Sequence, residues 1–282
     1  MSIKVTPMGN SRILSVGTYR PKRVVPNSEI VERIESTDEW IQQRTGIESR
    51  RFAGDDETVI SMAKAACEMA LQRAKLTIAD IDTVILATIS YPFQAPSAST
   101  ELINELGNPK AAAFDISAAC AGFCYGVAMG SDLVRSGTSR NVLVIGVEKL
   151  SDYTDPDDRA TAFIFADGAG AVIIGQSDQP RIGQTIWGSD ADSRDAITLT
   201  PSFLDYKNNP DKGVGKLGWP NISQQGQVVF RWAVYSMSKV GLKALEVAGV
   251  TVDELGAFIP HQANIRIIET MAKEMKIPDS VL

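Results

Sequence analysis

One histidine, His261, stands among 282 residues, and cysteine is nearly as scarce, with Cys67, Cys120 and Cys124. A Cys/His zinc site would need nearly all of them, and the spacing from Cys120 and Cys124 to His261 fits no tetrahedral ligand pattern, so no metal centre is expected. Three cysteines leave one unpaired under any pairing, which excludes a disulfide scaffold and points to a reducing compartment. Positive charge is in deficit: 28 Lys and Arg against 34 Asp and Glu give a formal charge of −6, so no nucleic-acid partner is expected. No window holds the ~18 consecutive apolar residues of a spanning helix. Met1–Asn10 has neither a long apolar stretch nor a small-residue cleavage site, and the expectation is a cytoplasmic protein with no membrane contact. What is present is an ordinary globular composition, 44% hydrophobic and 22% charged, sufficient for a large core.

Short β-branched runs alternate with helical patterns. Asp82–Thr88 and Asn141–Val147 are near-continuous apolar runs bounded by turn residues, as expected of strands covered on both faces. Between them, Glu57–Lys75 repeats its apolar residues at spacings of three and four, and Ala121–Arg135 follows the strand-like Ala113–Ile116. The pattern predicts an α/β fold with helices on both faces of a sheet. Ala70–Ile85 aligns with Ala244–Ile259 at a constant offset of 174 residues, each copy reading helix end, loop, strand. A duplicated unit is therefore expected, residues 1–180 and 181–282. The counterpart of the strand ending at Gly175 would fall well beyond Leu282, so the second copy is expected to be incomplete. Residues 183–226, rich in Asp, Ser, Asn, Pro and Gly and including the run Asn208-Asn209-Pro210-Asp211-Lys212-Gly213, are expected to be an irregular connection.

Two places carry candidate chemistry. In Asp115-Ile116-Ser117-Ala118-Ala119-Cys120-Ala121-Gly122-Phe123 a strand runs through small residues into a helix, placing Cys120 at a helix N-terminus. There, free N–H groups favour a thiolate and can hold an oxyanion. A cysteine used as a small core hydrophobe is the alternative that the residues leave open, and Cys67 and Cys124 fit it better. In Ala257-Phe258-Ile259-Pro260-His261-Gln262-Ala263-Asn264, His261 follows an expected strand, where parallel sheets deliver catalytic groups; a merely structural histidine is the alternative. Asp167–Gly175 has glycines but leads into a strand, so it is no dinucleotide loop. Arg231, Lys239 and Lys243 share one face of an expected helix, and Arg266 and Lys273 share another with Glu269. This is either a mixed-charge solvated face or a docking patch for an acidic partner.

Together with Ser36-Thr37-Asp38-Glu39-Trp40-Ile41, Arg44-Thr45-Gly46-Ile47, Asp155–Thr161 and Pro260–Ile268, these segments strongly resemble the β-ketoacyl-acyl carrier protein synthase III family, in particular its actinobacterial members. The resemblance implies the thiolase fold, two βα units in a five-layer αβαβα sandwich, here with the second unit truncated. It implies a decarboxylating Claisen condensation of an acyl-CoA starter with malonyl-acyl carrier protein, initiating fatty acid synthesis without a cofactor. By resemblance, Cys120 is the acylated nucleophile and His261 stabilises the malonyl thioester oxyanion. The family's third catalytic residue, an asparagine in a Gly-Asn-Thr-Ser-type motif, has no counterpart before Leu282. Trp40 and Arg159 would flank the CoA adenine, with Arg44 at its phosphates. Ser36, Gly226, Phe230 and Asn264 would line the CoA channel, while Arg231, Gln262, Arg266 and Lys273 would meet the carrier protein. The family is homodimeric, and Ala95, in the loop 91–96, would reach the partner's acyl pocket; an alanine there implies room for branched or longer starters. A truncated non-catalytic homologue and a polyketide starter-unit synthase are the alternatives the sequence leaves standing.

Overall fold

The computed structural model describes residues 8–210 and 215–282. Residues 1–7 of the N-terminal segment, and 211–214 of the expected connection, lie outside the described residues. The strands are β1 (Asn10–Tyr19), β2 (Arg23–Pro26), β3 (Ser49–Phe52), β4 (Thr83–Ala87), β5 (Ala112–Ile116), β6 (Asn141–Lys149), β7 (Asp167–Ser177), β8 (Ile197–Thr200) and β9 (Asn221–Gln224). The helices are α1 (Asp38–Thr45), α2 (Val59–Ala74), α3 (Ala98–Leu106), α4 (Gly122–Arg135), α5 (Phe203–Asn208), α6 (Gly226–Ala248) and α7 (Ile265–Met275). The chain forms two compact units: 1–23, 51–149 and 166–185 make one, and 24–50, 150–165 and 186–282 make the other.

The first unit is built on a five-stranded open sheet in the order β1-β7-β6-β4-β5, parallel across β6, β4 and β5 and antiparallel across β1, β7 and β6. The alternation of side chains along each strand separates two cores. Val84 and Leu86 of β4, with Leu143, Ile145 and Ile173, pack under α2 and α3 against Met62, Ala66, Ala70 and Leu102. Ile85, Val142, Val144, Val172 and Ile174 face the other way and pack with Val134 of α4. Helix α4 lies close to the sheet because glycine recurs every fourth residue: a Cβ on Gly122 would sit 2.8 Å from the Ala87 Cβ, and one on Gly126 would sit 2.7 Å from Val144 Cγ1. The sheet is thus covered on both faces, as the near-continuous apolar strands require.

The repeat is legible down to its caps. Lys75 closes α2 and Gly249 closes α6, both in the left-handed region at the same 174-residue offset. Thr77 and Asp80 then form a capping box, with the Thr77 N–H and hydroxyl each donating to Asp80 Oδ2 at 2.8 Å. Thr251 and Glu254 repeat it in the second unit, again at 2.8 Å for both bonds.

Two expectations fail. The strand expected at Ala257–Ile259 is not formed: Ile259 is 82% exposed, and the Phe258 N–H donates to the Val281 carbonyl at 2.7 Å. Its counterpart β4 lies between β5 and β6, and the positions matching those strands at the same offset fall beyond Leu282. Among the described residues no strand lies beside the segment to pair with it. The stretch 183–226 is also not wholly irregular. The alternating Ile197-Thr198-Leu199-Thr200 pairs antiparallel with Asn221–Gln224, and α5 lies between them. Among the described residues no helix is long and apolar enough to cross a membrane.

Candidate active site

Cys120 sits on an elbow. Strand β5 ends at Ile116, a short 3-10 turn spans Ala119–Ala121, and α4 begins at Gly122. Ala119 is held at φ +44°, a left-handed conformation that costs a residue with a Cβ about 1 kcal/mol or more and lifts the next side chain off the turn. The elbow rests on small residues, with Gly122 against Ala87 of β4 and Phe123 over Gly146 of β6. The small neighbours noted around Cys120 are what allow this approach.

The electrostatics differ from the simple helix-terminus expectation. Cys120 is exposed as a residue, yet partial desolvation pushes its thiol up from the ordinary range; a backbone N–H pulls it back, and the Glu148 carboxylate adds the smallest push. Desolvation therefore outweighs the helix end, and Cys120 is a protonated thiol at neutral pH. Cys124, one turn further on, is also raised by partial desolvation, and Cys67 is fully buried in the α2 core with its thiol pushed far up. Cys67 matches the structural alternative, whereas Cys124 is exposed and is not the core hydrophobe expected. Glu148, which sequence reasoning passed over, ends β6 at this place and accepts hydrogen bonds from the Ile89 N–H at 3.0 Å, Ser90 Oγ at 2.5 Å and Thr88 Oγ1 at 3.2 Å. Nothing in its local pattern marked it, because Val147-Glu148-Lys149 reads as a strand emerging into solvent.

The second unit assembles the expected nucleotide residues. Trp40 and Arg44 lie four apart on α1, which Thr37 caps by accepting the Trp40 N–H at 3.2 Å. The Arg44 guanidinium stands 4.3 Å from the Trp40 ring centroid and that of Arg159 5.2 Å, while Phe163 meets the ring edge-on at 5.4 Å. Buried Arg50 fixes this arrangement by donating to the carbonyls of Val25 and Phe163 and, at 2.5 Å, to Asn27 Oδ1. Two cations on one half-buried indole make a platform for a planar, anionic group. Ser36 is nearby in sequence, and its buried hydroxyl has no hydrogen-bond partner.

His261 and Gln262 lie in the loop before α7 and are exposed as residues, and partial desolvation of the ring by the atoms around it holds the His261 imidazolium below its usual range, so it is neutral at pH 7. Asn264 is the N-cap of α7, accepting the Ile267 N–H at 2.9 Å. Ile265, next in line, packs on Gly46, and so draws α7 to the end of α1. Gly226 opens α6, with Phe230 half-buried and Arg231 exposed on its first turns. Arg266 and Lys273 are exposed on α7. Of the other basic residues noted, Lys243 is engaged by Glu246 at 3.0 Å. Ala95 is exposed in the loop between β4 and α3, next to Phe93, which is 62% exposed.

A family model described as 3-oxoacyl-[acyl-carrier-protein] synthase III matches residues 114–191, and the model of that enzyme's C-terminal part matches residues 245–282. The beta-ketoacyl-[acyl-carrier-protein] synthase III 1 of Streptomyces coelicolor is 50% identical over 276 residues, covering 96% of this chain and 80% of the relative. The synthase III of Mycobacteroides abscessus is 45% identical, covering 97% and 80%. Among solved structures, the priming β-ketosynthase of the R1128 polyketide pathway superposes with a TM-score of 0.95 at 42% identity, over 100% of this chain and 83% of that one. The 3-oxoacyl-[acyl-carrier-protein] synthase III of Aquifex aeolicus gives 0.80 at 36%, over 96% and 83%.

Proposed function

The chain belongs to the β-ketoacyl-[acyl-carrier-protein] synthase III family of thiolase-fold condensing enzymes, acyltransferases that work on CoA and carrier-protein thioesters, and on that premise we propose that it primes chain synthesis through Cys120. The sulfur of Cys120 attacks the carbonyl of an acyl-CoA, the thiol proton passes to a base, and the CoA thiolate leaves and takes up a proton. A malonyl thioester on the carrier protein then loses CO2. The enolate carbon bonds to the acyl carbonyl, expelling the Cys120 thiolate and releasing a 3-oxoacyl thioester. His261, neutral at pH 7, has the right form for two tasks: its free nitrogen accepts a proton, and its N–H donates to an enolate oxygen. The observation that carries this reading is the elbow, which presents a protonated Cys120 on a turn of small residues with backbone N–H groups around it.

The finer assignments follow the same reading. Trp40, Arg44 and Arg159 hold the CoA nucleotide, with Ser36, Gly226, Phe230 and Asn264 along the pantetheine. Arg231, Gln262, Arg266 and Lys273 receive the acidic carrier protein. The halves 1–180 and 181–282 are the two thiolase units, and two copies pair in the cytoplasm with the loop carrying Ala95 at the partner's acyl pocket. The small Ala95 side chain favours branched or slightly longer starters over acetyl.

Whether the product feeds fatty acids or polyketides depends on the carrier protein. Polyketide priming is supported by the superposition of the whole of this chain on 83% of the R1128 priming ketosynthase, and a β-ketoacyl-[acyl-carrier-protein] synthase III role by the sequence relatives. Intact mass before and after incubation with isobutyryl-CoA or acetyl-CoA tests the shared chemistry. We expect a stable acyl adduct, larger with isobutyryl-CoA and lost in Cys120→Ser. No adduct from either thioester would overturn the reading, and condensation rates with fatty-acid and polyketide carrier proteins separate the pathways.

A further inference from the structure

Arg50 is a guanidinium placed where a charge is costly to hold. It lies on β3 and is 5% exposed, and its three acceptors are all neutral oxygens: the carbonyls of Val25 and Phe163, each at 3.2 Å, and Asn27 Oδ1 at 2.5 Å. Neutral acceptors replace only part of the hydration that a buried cation gives up. What the side chain supplies in return is geometry, because its planar fork aims Nη1 and Nη2 in fixed directions.

Two of the three acceptors lead to the platform at Trp40. Phe163, whose carbonyl Arg50 holds, presents its ring edge-on to the Trp40 indole at 5.4 Å. Arg159 belongs to the same turn, which the Asp158 carboxylate ties together by accepting the Ala160 N–H at 2.8 Å and the Thr161 hydroxyl at 2.6 Å. Asn27 leads the other way, to α1. Its amide donates to Asp38 Oδ1, on the first residue of that helix, at 2.5 Å and to the Ile47 carbonyl, just past the Gly46 cap, at 2.8 Å. Gln42 Nε2 donates to the same Asp38 oxygen at 2.9 Å, which steadies the face carrying Trp40 and Arg44. The platform is thus drawn from two segments far apart in the chain, and Arg50 is hydrogen-bonded to one directly and to the other through Asn27.

We propose that Arg50 is a positioning residue for the nucleotide end of the substrate, joining the α1 half of the platform to the Arg159–Phe163 half and so setting the Trp40 indole between its two guanidinium groups. The inference rests on the reading of this platform as the CoA nucleotide site and adds to it a buried residue that acts through others. The fork matters more than the charge. A lysine here would keep the cation but offer one nitrogen to three oxygens that the guanidinium meets with two.

Acylation of Cys120 by isobutyryl-CoA and by isobutyryl-pantetheine tests this in Arg50→Lys, in Trp40→Ala and in the double variant. Arg50→Lys should raise the KM for isobutyryl-CoA ~3–10-fold, a loss no larger than that of the stacked ring itself, and leave kcat and the isobutyryl-pantetheine rate unchanged. In the Trp40→Ala background the same substitution should change that KM less than ~2-fold, because both act on one contact. Asp38→Ala, at the exposed end of the other arm, should reproduce part of the CoA-specific loss, and Asp38→Asn, which keeps an acceptor for Asn27, should restore it; this pair carries the test where Arg50→Lys does not fold. A folded Arg50→Lys protein with the wild-type KM, an equal loss with both thioesters, or a full additive loss in the double variant would each overturn the proposal. The Trp40 indole N–H resonance, identified by its loss in Trp40→Phe, should move in Arg50→Lys and in Asp38→Ala. If the wild-type chain takes no acyl group, or takes it from both thioesters at one rate, the nucleotide reading is removed: a moved resonance would then sustain the hold of Arg50 on Trp40, and an unmoved one would overturn it.

Discussion

Trp40→Ala separates a nucleotide platform from a packing residue. The indole carries Arg44 at 4.3 Å and Arg159 at 5.2 Å and meets Phe163 edge-on. Stacking of a base on an aromatic ring contributes ~1–3 kcal/mol by alanine substitution. An adenine that docks here displaces part of one guanidinium contact, which is worth about 0.5–1 kcal/mol at an exposed position. The net contribution is therefore ~1–2 kcal/mol, or roughly 5–30-fold in the kcat/KM of Cys120 acylation at 1.4 kcal/mol per factor of ten. The assay times acyl-adduct formation with isobutyryl-CoA and with isobutyryl-pantetheine, which carries the same acyl arm without the nucleotide. Only the CoA rate should fall, and Trp40→Phe should recover most of it. An equal loss with both substrates would show that Trp40 acts through its packing on Phe163, and no loss with the CoA substrate would remove adenine from this surface.

Two further outcomes bear on the elbow and on the lone histidine. Gly122→Ala places a methyl 2.8 Å from the Ala87 Cβ, so it should destabilise the chain by about 1–3 kcal/mol in urea unfolding and slow Cys120 alkylation. Gly188→Ala, with no heavy atom within 4 Å of the new methyl, should stay within about 0.5 kcal/mol of wild type. His261 is held below its ordinary pKa by partial desolvation. Between its folded and unfolded values the unfolded chain binds the extra proton, so stability should fall as pH drops below about 6.5 and be unaffected by this group above it. His261→Gln should flatten that part of the urea midpoint–pH curve, and an unchanged slope would refute it.

The site was legible wherever the chemistry is carried by residue identity at short range. Ala118-Ala119-Cys120-Ala121-Gly122 shows its elbow in its small side chains, while Trp40 and Arg44 were reached only through the motifs that resemble the family. Two features were hidden for physical reasons. The thiol's protonation state is set chiefly by desolvation, against a backbone N–H and with a small addition from Glu148, 28 positions further along the chain. The ribbon of β8 and β9 depends on partners separated by α5, so four-residue runs among polar residues gave too little periodicity to distinguish them from loop.

The failed strand shows what local pattern leaves undetermined, and it can be measured. Ile85 and Ile259 occupy the same place in the two copies of the repeat and are the same residue type, yet Ile85 is fully buried between β5, β6 and α4 while Ile259 is 82% exposed. Apolar alternation made the two segments look alike, but a strand exists only where neighbours supply its hydrogen bonds and a helix covers its side chains. Ile85→Ala removes buried methyl groups and leaves a cavity in a closed core, which costs about 2–5 kcal/mol. Ile259→Ala removes the same atoms from contact mainly with water and should cost less than about 0.5 kcal/mol in this chain. Urea unfolding of the two variants decides it. Equal costs would mean that Ile259 is packed as its repeat partner is, and that segment 256–260 is a paired strand after all.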